Sequence, residues 1–403
     1  MLKRKKTSEP TLTRTYTYRI YPTGGQVTAL ENTFSMCRHL WNWSLAERSD
    51  TYEQTGKGVS YFEQQNRLPE LKDERPWFKG VHSQVLQDVL RRLDKGFEYF
   101  FRRVKEGAEE PGYPKFKKRG QWTSITYPQY TLHPGAVRVH VPKIGEVRIV
   151  LHRAIPRLAK IKTMTVMKEA ANRWFVSFSF EIPMLLDAAP SNESKDFIGI
   201  DLGCIDLYYA SDETHVEAPR YFRAAQANLK KLQRRFSKAK KRTPRWYRLL
   251  RALGKAHAKV RRKRQDFLHD EANTLLGRTD VVVCEDLRIA NMTRRPKPKQ
   301  DESGAYIPNG ARAKSGLNKS ILDAGWGMFV RMLRYKAEVS GKQVIAVPPH
   351  YTSQMCSACG EIVKKSLSHR THACACGFVA HRDHNAALNI LRLGLESLEA
   401  PAS

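Results

Sequence analysis

The sequence predicts a multidomain α+β protein, in which a β-barrel interrupted by a helical domain precedes a region of strands and helices that carries a cluster of cysteines. The chain has 403 residues, more than one compact domain usually holds. Apolar positions in the first half repeat with a strand period, then a helix period, then a strand period again. Four of the seven cysteines lie between Cys356 and Cys376, which indicates a metal-binding module in a reducing compartment.

Composition limits the function classes. With 70 Lys and Arg against 40 Asp and Glu, the formal net charge is +30, which predicts a polyanionic partner. Hydrophobic residues make up 41% of the chain, so wholesale disorder is excluded. The sequence has no apolar run of the roughly 18 residues that a membrane span needs. The basic N-terminus is not followed by an apolar signal segment, so we expect a cytoplasmic rather than a secreted protein.

The first half of the sequence predicts one barrel in two pieces. Residues 13–20 alternate like a strand that closes at Pro22, and apolar residues then recur at helical spacing. Alternating β-formers return from about Gly112 onward. We therefore assign the first part of the barrel to residues 1–22, the inserted helical domain to 23–110 and the second part of the barrel to 111–190.

Residues 229–264 are the most basic stretch. Seventeen Lys or Arg and no Asp or Glu lie between Lys230 and Arg264, and Pro244 predicts a break between two helices. A solvated face and a membrane-surface helix are the alternatives. So many like charges repel one another unless phosphates neutralise them, and the apolar stripe lacks the Trp and Phe of membrane-surface helices. The expected nucleic-acid contacts are Lys230, Lys231, Arg234, Arg235, Lys238, Lys240, Lys241, Arg242, Arg261, Arg262, Lys263 and Arg264.

Three acids lie on three predicted elements. Asp201 is embedded in an apolar strand, a second acid ends the strand at 281–287, and Asp383 faces inward near the start of the last helix. Since adjacent strand residues face opposite ways, only one of Glu285 and Asp286 can share a face with Asp201. Three carboxylates suit hard cations such as Mg²⁺, and a pair of such ions can drive phosphodiester hydrolysis. Each acid also has an ordinary alternative, as a turn residue, a helix cap or the partner of an arginine.

The cysteine cluster predicts a structural zinc site. Cys356 and Cys359 form a C-x-x-C-G knuckle, and after fourteen residues Cys374 and Cys376 form a shorter C-x-C pair. The short second pair leaves open whether His372 replaces Cys374 as a ligand. A closed site with four protein ligands is structural rather than catalytic, so Zn²⁺ would brace this segment.

Five motifs stand out along the chain. They are YRIYPTGGQ and GYPKFKKRG in the first half, then FIGIDLG, VVVCEDLRIANM and CSACG…CACGFVAHRDHNAALNI in the second. Together they resemble the TnpB family, transposon-encoded RNA-guided DNA endonucleases akin to compact type V CRISPR effectors. The resemblance implies an oligonucleotide-binding-like wedge barrel that holds a helical recognition domain. It also implies an RNase H-like, RuvC-type α/β nuclease domain at 191–350, interrupted by a zinc ribbon at 351–378 and completed by a helix at 379–403.

The resemblance also assigns roles to residues. By motif match, Asp201, Glu285 and Asp383 are the catalytic acids that hold Mg²⁺ or Mn²⁺, and the four clustered cysteines are the Zn²⁺ ligands. Arg370 matches an arginine that can lie near the scissile phosphate. The family further implies a guide RNA transcribed from the element's own end, a short target-adjacent motif read by protein, and cleavage of both strands of double-stranded DNA.

Two smaller expectations concern target recognition. Tyr61 and Gln87 are candidate contacts to the adjacent motif, because a Gln amide can bond an adenine edge and a Tyr can pack on bases. Ordinary surface roles are the alternative for both. The polar segment 293–320 predicts a mobile loop that gates the nuclease cleft. We expect a monomer that joins the nucleoid when it binds DNA.

Other functions stay open from the sequence alone. They are a catalytically inactive RNA-guided repressor, a DNA transposase or its accessory protein, and a junction nuclease that needs no guide. A repressor should lack at least one acid, whereas all three are present. A transposase would need strand-transfer chemistry, such as a Tyr with a His pair, and the sequence offers no convincing set.

Overall fold

The computed structural model describes most of the chain, namely residues 11–130, 132, 137–156, 159–169, 172–183, 195–366 and 369–399. The chain divides into two compact units, Met1–Leu186 and Asp187–Ser403. Both units mix helices and strands, in agreement with the predicted multidomain α+β class. Within the described ranges, no helix combines the length and the apolar character needed to cross a membrane.

The first unit is built on a six-stranded antiparallel sheet. Its strands are β1 (Thr11–Tyr21), β2 (Ser124–Tyr127), β3 (Arg138–Val141), β4 (Gly145–Val150), β5 (Lys160–Glu169) and β6 (Arg173–Pro183). Their order is β2-β5-β6-β1-β4-β3, so the N-terminal strand lies inside the sheet. Alternate side chains such as Tyr18 on β1 and Val176 on β6 are fully buried, as the strand period predicts.

This sheet curls until its two edge strands approach each other. Tyr127, at the end of β2, donates a hydrogen bond from Oη to the carbonyl of Pro142, just after β3 (3.1 Å). Tyr130 Oη donates in the same way to the carbonyl of His140 on β3 (2.6 Å). Such curvature is what a barrel-like sheet requires.

Helices occupy the chain between β1 and β2, as predicted. They are α1 (Gly24–Thr55), α2 (Tyr61–Asn66), α3 (Leu68–Glu74), a 3₁₀ turn (Pro76–Gly80) and α4 (Ser83–Lys105). A capping box between Thr23 and Gln26 begins α1, since each side chain bonds the other's backbone. The apolar faces of α1 and α4 share one core with the sheet, in which Phe34 stacks on Trp174 (5.6 Å between ring centroids).

The second unit contains the remaining elements. Its strands are β7 (Phe197–Leu202), β8 (Asp206–Ala210), β9 (His215–Glu217), β10 (Val281–Glu285), β11 (Lys299–Gln300), β12 (Tyr306–Ile307), β13 (Gln343–Val347), β14 (Thr371–Ala373) and β15 (Val379–His381). Its helices are α5 (Tyr221–Ser237), α6 (Pro244–Arg278), α7 (Ile289–Met292), α8 (Ala311–Ala324), α9 (Trp326–Val339) and α10 (Arg382–Glu399). The main sheet has the order β13-β10-β7-β8-β9. In it β13, β10 and β7 are parallel, while β8 and β9 form antiparallel hairpins.

Helix α10 lies unusually close to this sheet. Gly199 on β7 faces α10 so closely that an added Cβ would lie 2.7 Å from the backbone nitrogen of Leu391. Gly394 on α10 faces Val283 on β10, where an added Cβ would lie 2.6 Å from a methyl carbon. Glycine is therefore required on both sides of the contact.

The basic stretch forms a helical hairpin, as the sequence predicts. Helix α6 begins at Pro244, and the Thr243 hydroxyl caps it by accepting from the backbone N–H of Trp246 (3.2 Å). Leu229 on α5 packs against Leu253 on α6 in a small core that holds the two helices together. The name basic hairpin is used below for α5, α6 and the connection between them.

The prediction of one mobile loop over 293–320 is wrong for its second half. Residues 311–320 belong to α8, which follows Gly310 in a left-handed conformation (φ 70°). Asn309 Oδ1 accepts from the backbone N–H of Ala311 (3.1 Å), and Asn318 Nδ2 donates to the carbonyl of Thr293 (2.7 Å). The many polar residues of this segment suggested a loop, yet most of them are tolerated on an exposed helix face.

Candidate active site

Two of the predicted acids leave the second sheet side by side. β7 and β10 run parallel with Ile200 opposite Cys284, so Asp201 and Glu285 take the next positions on neighbouring strands and point to one face. Asp286 is exposed, and its backbone N–H donates to a carbonyl of β13 (2.8 Å). Strand register therefore selects Glu285 over Asp286 as the neighbour of Asp201.

Asp383 is the third acid, in the first turn of α10, the helix that packs on β7 and β10. Its Oδ2 accepts a hydrogen bond from Nη1 of Arg370 (3.2 Å), so Arg370 lies beside one of the three acids. The carboxylate oxygens of these three acids, all of which belong to the described residues, do not all lie within 4.8 Å of one another. The acids thus converge on one region without forming a tight cluster.

The pKa shifts of the acids report burial and mutual repulsion. Burial first, and then the charges of Glu285 and Asp383, raise the pKa of Asp201 well above its usual range. Burial also raises the pKa of Glu285, although a hydrogen bond from Thr352 opposes that shift. The charges of both other acids therefore act on Asp201. A bound cation would offset the repulsion and the desolvation together.

Thr352 is a site residue that the sequence did not reveal. It is buried (4% exposed), and its Oγ1 donates a hydrogen bond to Oε1 of Glu285 (2.6 Å). Its carbonyl accepts from Nδ2 of Asn389 on α10 (2.9 Å). A lone threonine ahead of a cysteine knuckle carries no motif of its own, so only these contacts identify it.

The four predicted zinc ligands come together. Their sulfur atoms all lie within 4.8 Å of one another, with Cys356 Sγ 3.8 Å from Cys376 Sγ and Cys359 Sγ 3.6 Å from Cys374 Sγ. Tetrahedral zinc with Zn–S bonds of about 2.3 Å requires sulfur separations near 3.8 Å. The short C-x-C pair still makes a turn, because Gly377 has φ 93° and donates its N–H to the carbonyl of Cys374 (3.0 Å).

His372 lies beside this cluster. It is fully buried on β14, and its Nδ1 contacts the ammonium of Lys365. Cys374 is in the four-sulfur set, so the structure favours four thiolates over a site in which His372 replaces Cys374. The arrangement suits Zn²⁺ by donor type and by spacing.

The basic hairpin exposes most of its charge. Of the seventeen Lys and Arg between residues 230 and 264, all but Arg262 and Arg264 are exposed, which leaves fifteen. Arg264 instead turns inward, and its Nη2 donates to Oδ1 of the buried Asp323 on α8 (2.7 Å). Arg262 Nε donates to the carbonyl of Ala258 (3.1 Å). Among the predicted phosphate contacts, Arg262 and Arg264 are therefore the exceptions, and the others have exposed side chains.

The two candidate motif contacts lie on helices of the first unit. Tyr61 begins α2, and the Arg91 guanidinium lies over its ring, 6.0 Å from the centroid. Gln87 lies on α4, partly exposed, and lines two neighbouring surface pockets. Gln84, Asp88, Arg91 and Gln129 also line one of these pockets, so its wall combines amide and guanidinium donors with a carboxylate.

Three family models match successive parts of the chain. The Cas12f1-like TNB domain matches residues 326–390, and the OrfB_IS605 model, described as a probable transposase, matches 178–295. A model described as a helix-turn-helix domain of OrfB_IS605 matches 12–57. In this structure the last range is mainly β1 followed by the single long helix α1.

Similar proteins cover nearly the full length. The chain is 32% identical to "Putative RNA-guided DNA endonuclease InsQ" of Escherichia coli (strain K12), over 94% of this chain and 92% of that one. It is 30% identical to "Putative RNA-guided DNA endonuclease" of Streptomyces pristinaespiralis, over 95% and 89%. Its fold is similar to that of a chain in the cryo-EM structure of the Cas12f1-sgRNA-target DNA complex, with a TM-score of 0.55, 12% identity and coverage of 94% and 98%. The chain belongs to the TnpB family of IS605-type elements, which confirms the family predicted from the motifs.

Proposed function

We propose that this protein is an RNA-guided DNA endonuclease of a transposable element, with a single RuvC-like site that cleaves both strands of its target. One observation carries the proposal: Asp201 and Glu285 point to one face from neighbouring strands, and the charges of both Glu285 and Asp383 act on Asp201, in a chain of this family. The similar proteins named RNA-guided DNA endonucleases cover nearly its whole length, which supports the same activity here.

Sheet topology supports an RNase H-like fold for the second unit. Counted along the chain, the main strands have the order 5-4-1-2-3, with an antiparallel start and two added parallel strands. The curled sheet of the first unit supports an oligonucleotide-binding-like wedge with the helical recognition domain inserted between β1 and β2. The domain boundaries predicted from the sequence are part of this proposal.

The three acids would hold Mg²⁺ or Mn²⁺, and bound ions would supply an activated water and stabilise the leaving 3′ oxygen. Asp201 would gain most from a bound cation, because burial and the charges of both other acids raise its pKa. Arg370, half exposed beside Asp383, would donate to an oxygen of the scissile phosphate and lower its charge. The four thiolates would hold a structural Zn²⁺ that keeps the ribbon folded next to α10.

The remaining surfaces would bind nucleic acid. The exposed cations of the basic hairpin would neutralise phosphates of the guide RNA or of the heteroduplex. Base pairing between guide and target would supply sequence specificity, as in other RNA-guided systems. Tyr61 and Gln87 would contact the target-adjacent motif. We propose a monomer that works in the cytoplasm and joins the nucleoid when it binds DNA.

The test begins with RNA that copurifies with the full chain. Sequencing this RNA gives the guide, and a target library with randomised flanks then reveals the adjacent motif. We expect cleavage of both strands that depends on Mg²⁺. Asp201→Ala, Glu285→Ala and Asp383→Ala should each abolish cleavage and leave guide and target binding nearly intact. Absence of copurifying RNA would contradict the proposal, and target binding by the wild type without cleavage would favour a guided repressor.

A further inference from the structure

A continuous hydrogen-bond path links the zinc ribbon to one of the nuclease acids. It begins at Glu285, whose Oε1 accepts from the Thr352 hydroxyl (2.6 Å). Thr352 lies in the neck, defined here as residues 351–355, which leads directly into the first zinc cysteine, Cys356. Both Thr352 and Cys356 are buried, so neither has freedom to turn towards solvent.

Two asparagines of α10 hold the neck. Asn389 Nδ2 donates to the carbonyls of Thr352 (2.9 Å) and Met355 (2.7 Å). Asn385 Nδ2 donates to the same Met355 carbonyl (2.7 Å), and its Oδ1 accepts from the backbone N–H of Ser357 (2.9 Å). Asn385 and Asn389 are one turn apart on one face of the helix and are fully buried. The backbone on both sides of Cys356 is therefore fixed to α10.

The chemistry of the path indicates more than packing. A buried threonine that only filled space would not need its hydroxyl aimed at a carboxylate, and a valine has the same shape. A glutamate side chain has three rotatable bonds, and a hydrogen bond at one oxygen removes most of that freedom while leaving the other oxygen available to a cation. Partners of this kind orient metal ligands in many proteins.

We propose that Thr352 is a positioning residue for the nuclease reaction: its hydroxyl fixes the rotamer of Glu285 for the divalent ion, and Asn385 and Asn389 of α10 hold the neck that carries Thr352. This inference rests on the proposed nuclease function. It gives the neck a second task besides leading into the cysteine cluster, because the same short segment carries a hydrogen-bond donor to a proposed metal ligand of the other site.

The test compares two conservative variants of the full chain. Thr352→Val keeps the shape and removes the hydroxyl, whereas Thr352→Ser keeps the hydroxyl. Binding of Mn²⁺ to the chain stripped of nucleic acid, followed by electron paramagnetic resonance, reports on the acid site directly, and Glu285→Gln gives the background. We expect Thr352→Val to weaken Mn²⁺ binding by at least about 10-fold, within the range seen when a partner of a metal ligand is lost. Thr352→Ser should bind nearly as the wild type does.

Zinc content and thermal stability separate positioning from folding. Both variants should retain the zinc content of the wild type, and cleavage should fall with Mn²⁺ affinity and recover at higher Mg²⁺ concentration. Should Thr352→Val lose zinc or unfold, the comparison of Thr352→Ser with Thr352→Ala carries the same test. Unchanged Mn²⁺ affinity in a zinc-loaded Thr352→Val protein would overturn the inference. A wild type that binds no more Mn²⁺ than Glu285→Gln would instead overturn the metal site on which the inference rests.

Discussion

The cysteine cluster and the acid site of the second unit are held in opposite ways. The four sulfur atoms already have the spacing of a tetrahedral zinc site. The carboxylates converge from two strands and a helix, yet the ionised form of Asp201 is disfavoured by burial and by the charges of Glu285 and Asp383. The soft donors proposed to hold a structural ion are gathered at one point, whereas the hard donors proposed for catalysis repel one another, and a bound cation would offset that repulsion.

The largest expected effect separates two adjacent acids of the acid site. Glu285→Gln should lower cleavage by at least about 1,000-fold, because loss of a metal ligand forfeits several kcal/mol of charge stabilisation. Asp286→Asn is the matched control, since Asp286 is exposed and its backbone, not its carboxylate, makes the contact with β13. A cleavage time course with saturating guide RNA measures both variants. Equal losses in the two variants would show that strand register does not select the acid.

The next effect concerns the cysteine cluster. Cys374→Ser should remove zinc and destabilise the ribbon, because structural zinc binding in small sites supplies about 10 kcal/mol or more of folding free energy. His372→Ala should keep zinc, since the four sulfurs complete the set without the imidazole. Metal analysis of the purified chain measures both, with Cys204→Ser, outside the cluster, as the control. Zinc retained by Cys374→Ser and lost from His372→Ala would reverse the ligand assignment.

A smaller effect is expected for the basic hairpin. Replacing Lys230, Arg234 and Lys241 by Gln should reduce the slope of log affinity against log salt for single-stranded RNA by about 2, from roughly 0.7 per neutralised phosphate. Arg264→Gln should instead lower thermal stability, because it leaves the buried Asp323 without its ion-pair partner. Filter binding at several salt concentrations and thermal unfolding measure the two. An unchanged slope would show that these exposed cations form a solvated face that does not contact RNA phosphates.

The smallest effect is a gain in stability from losing an acid. The folded-state pKa of Asp201 is raised, so its ionised form opposes folding; this cost is absent below the unfolded pKa and grows as pH rises towards the folded value. Asp201→Asn removes the cost. At neutral pH without added Mg²⁺ or Mn²⁺, Tm should rise by about 2–4 °C, roughly 1 kcal/mol for a unit of this size. The gain should shrink as the pH is lowered, and a Tm that falls instead would contradict the repulsion.

Local sequence patterns predicted the strands and the helix that hold the candidate site residues. They failed for residues whose environment depends on a contact with a residue far away in the sequence. The apolar strand around Asp201 and the helical period after Asp383 are encoded by neighbouring residues, so their placement followed from the sequence. The strand pattern alone left Glu285 and Asp286 open, and only the family resemblance favoured Glu285. The physical reason is the register between β7 and β10, which no single strand encodes.

Two other features were beyond local patterns. Thr352 acts through a hydrogen bond to a residue 67 positions away along the chain, and its own surroundings give no motif. Arg264 was grouped with the exposed cations because it lies in the same basic run, although its partner Asp323 lies 59 positions away. Only tertiary packing shows which cation of a long basic run is buried. The helix at 311–320 was missed because its polar composition resembled that of a loop.

The close approach between α10 and the second sheet has a geometric consequence. Gly199 lies two positions before Asp201, and it is the missing side chain there that lets the helix backbone come so near. Since Asp383 is in the first turn of that helix, the height of its carboxylate above the strands is set by an absent methyl group. An alanine at this position would push α10 away from β7. It would leave all three acids in the sequence and still change the distances between their carboxylates.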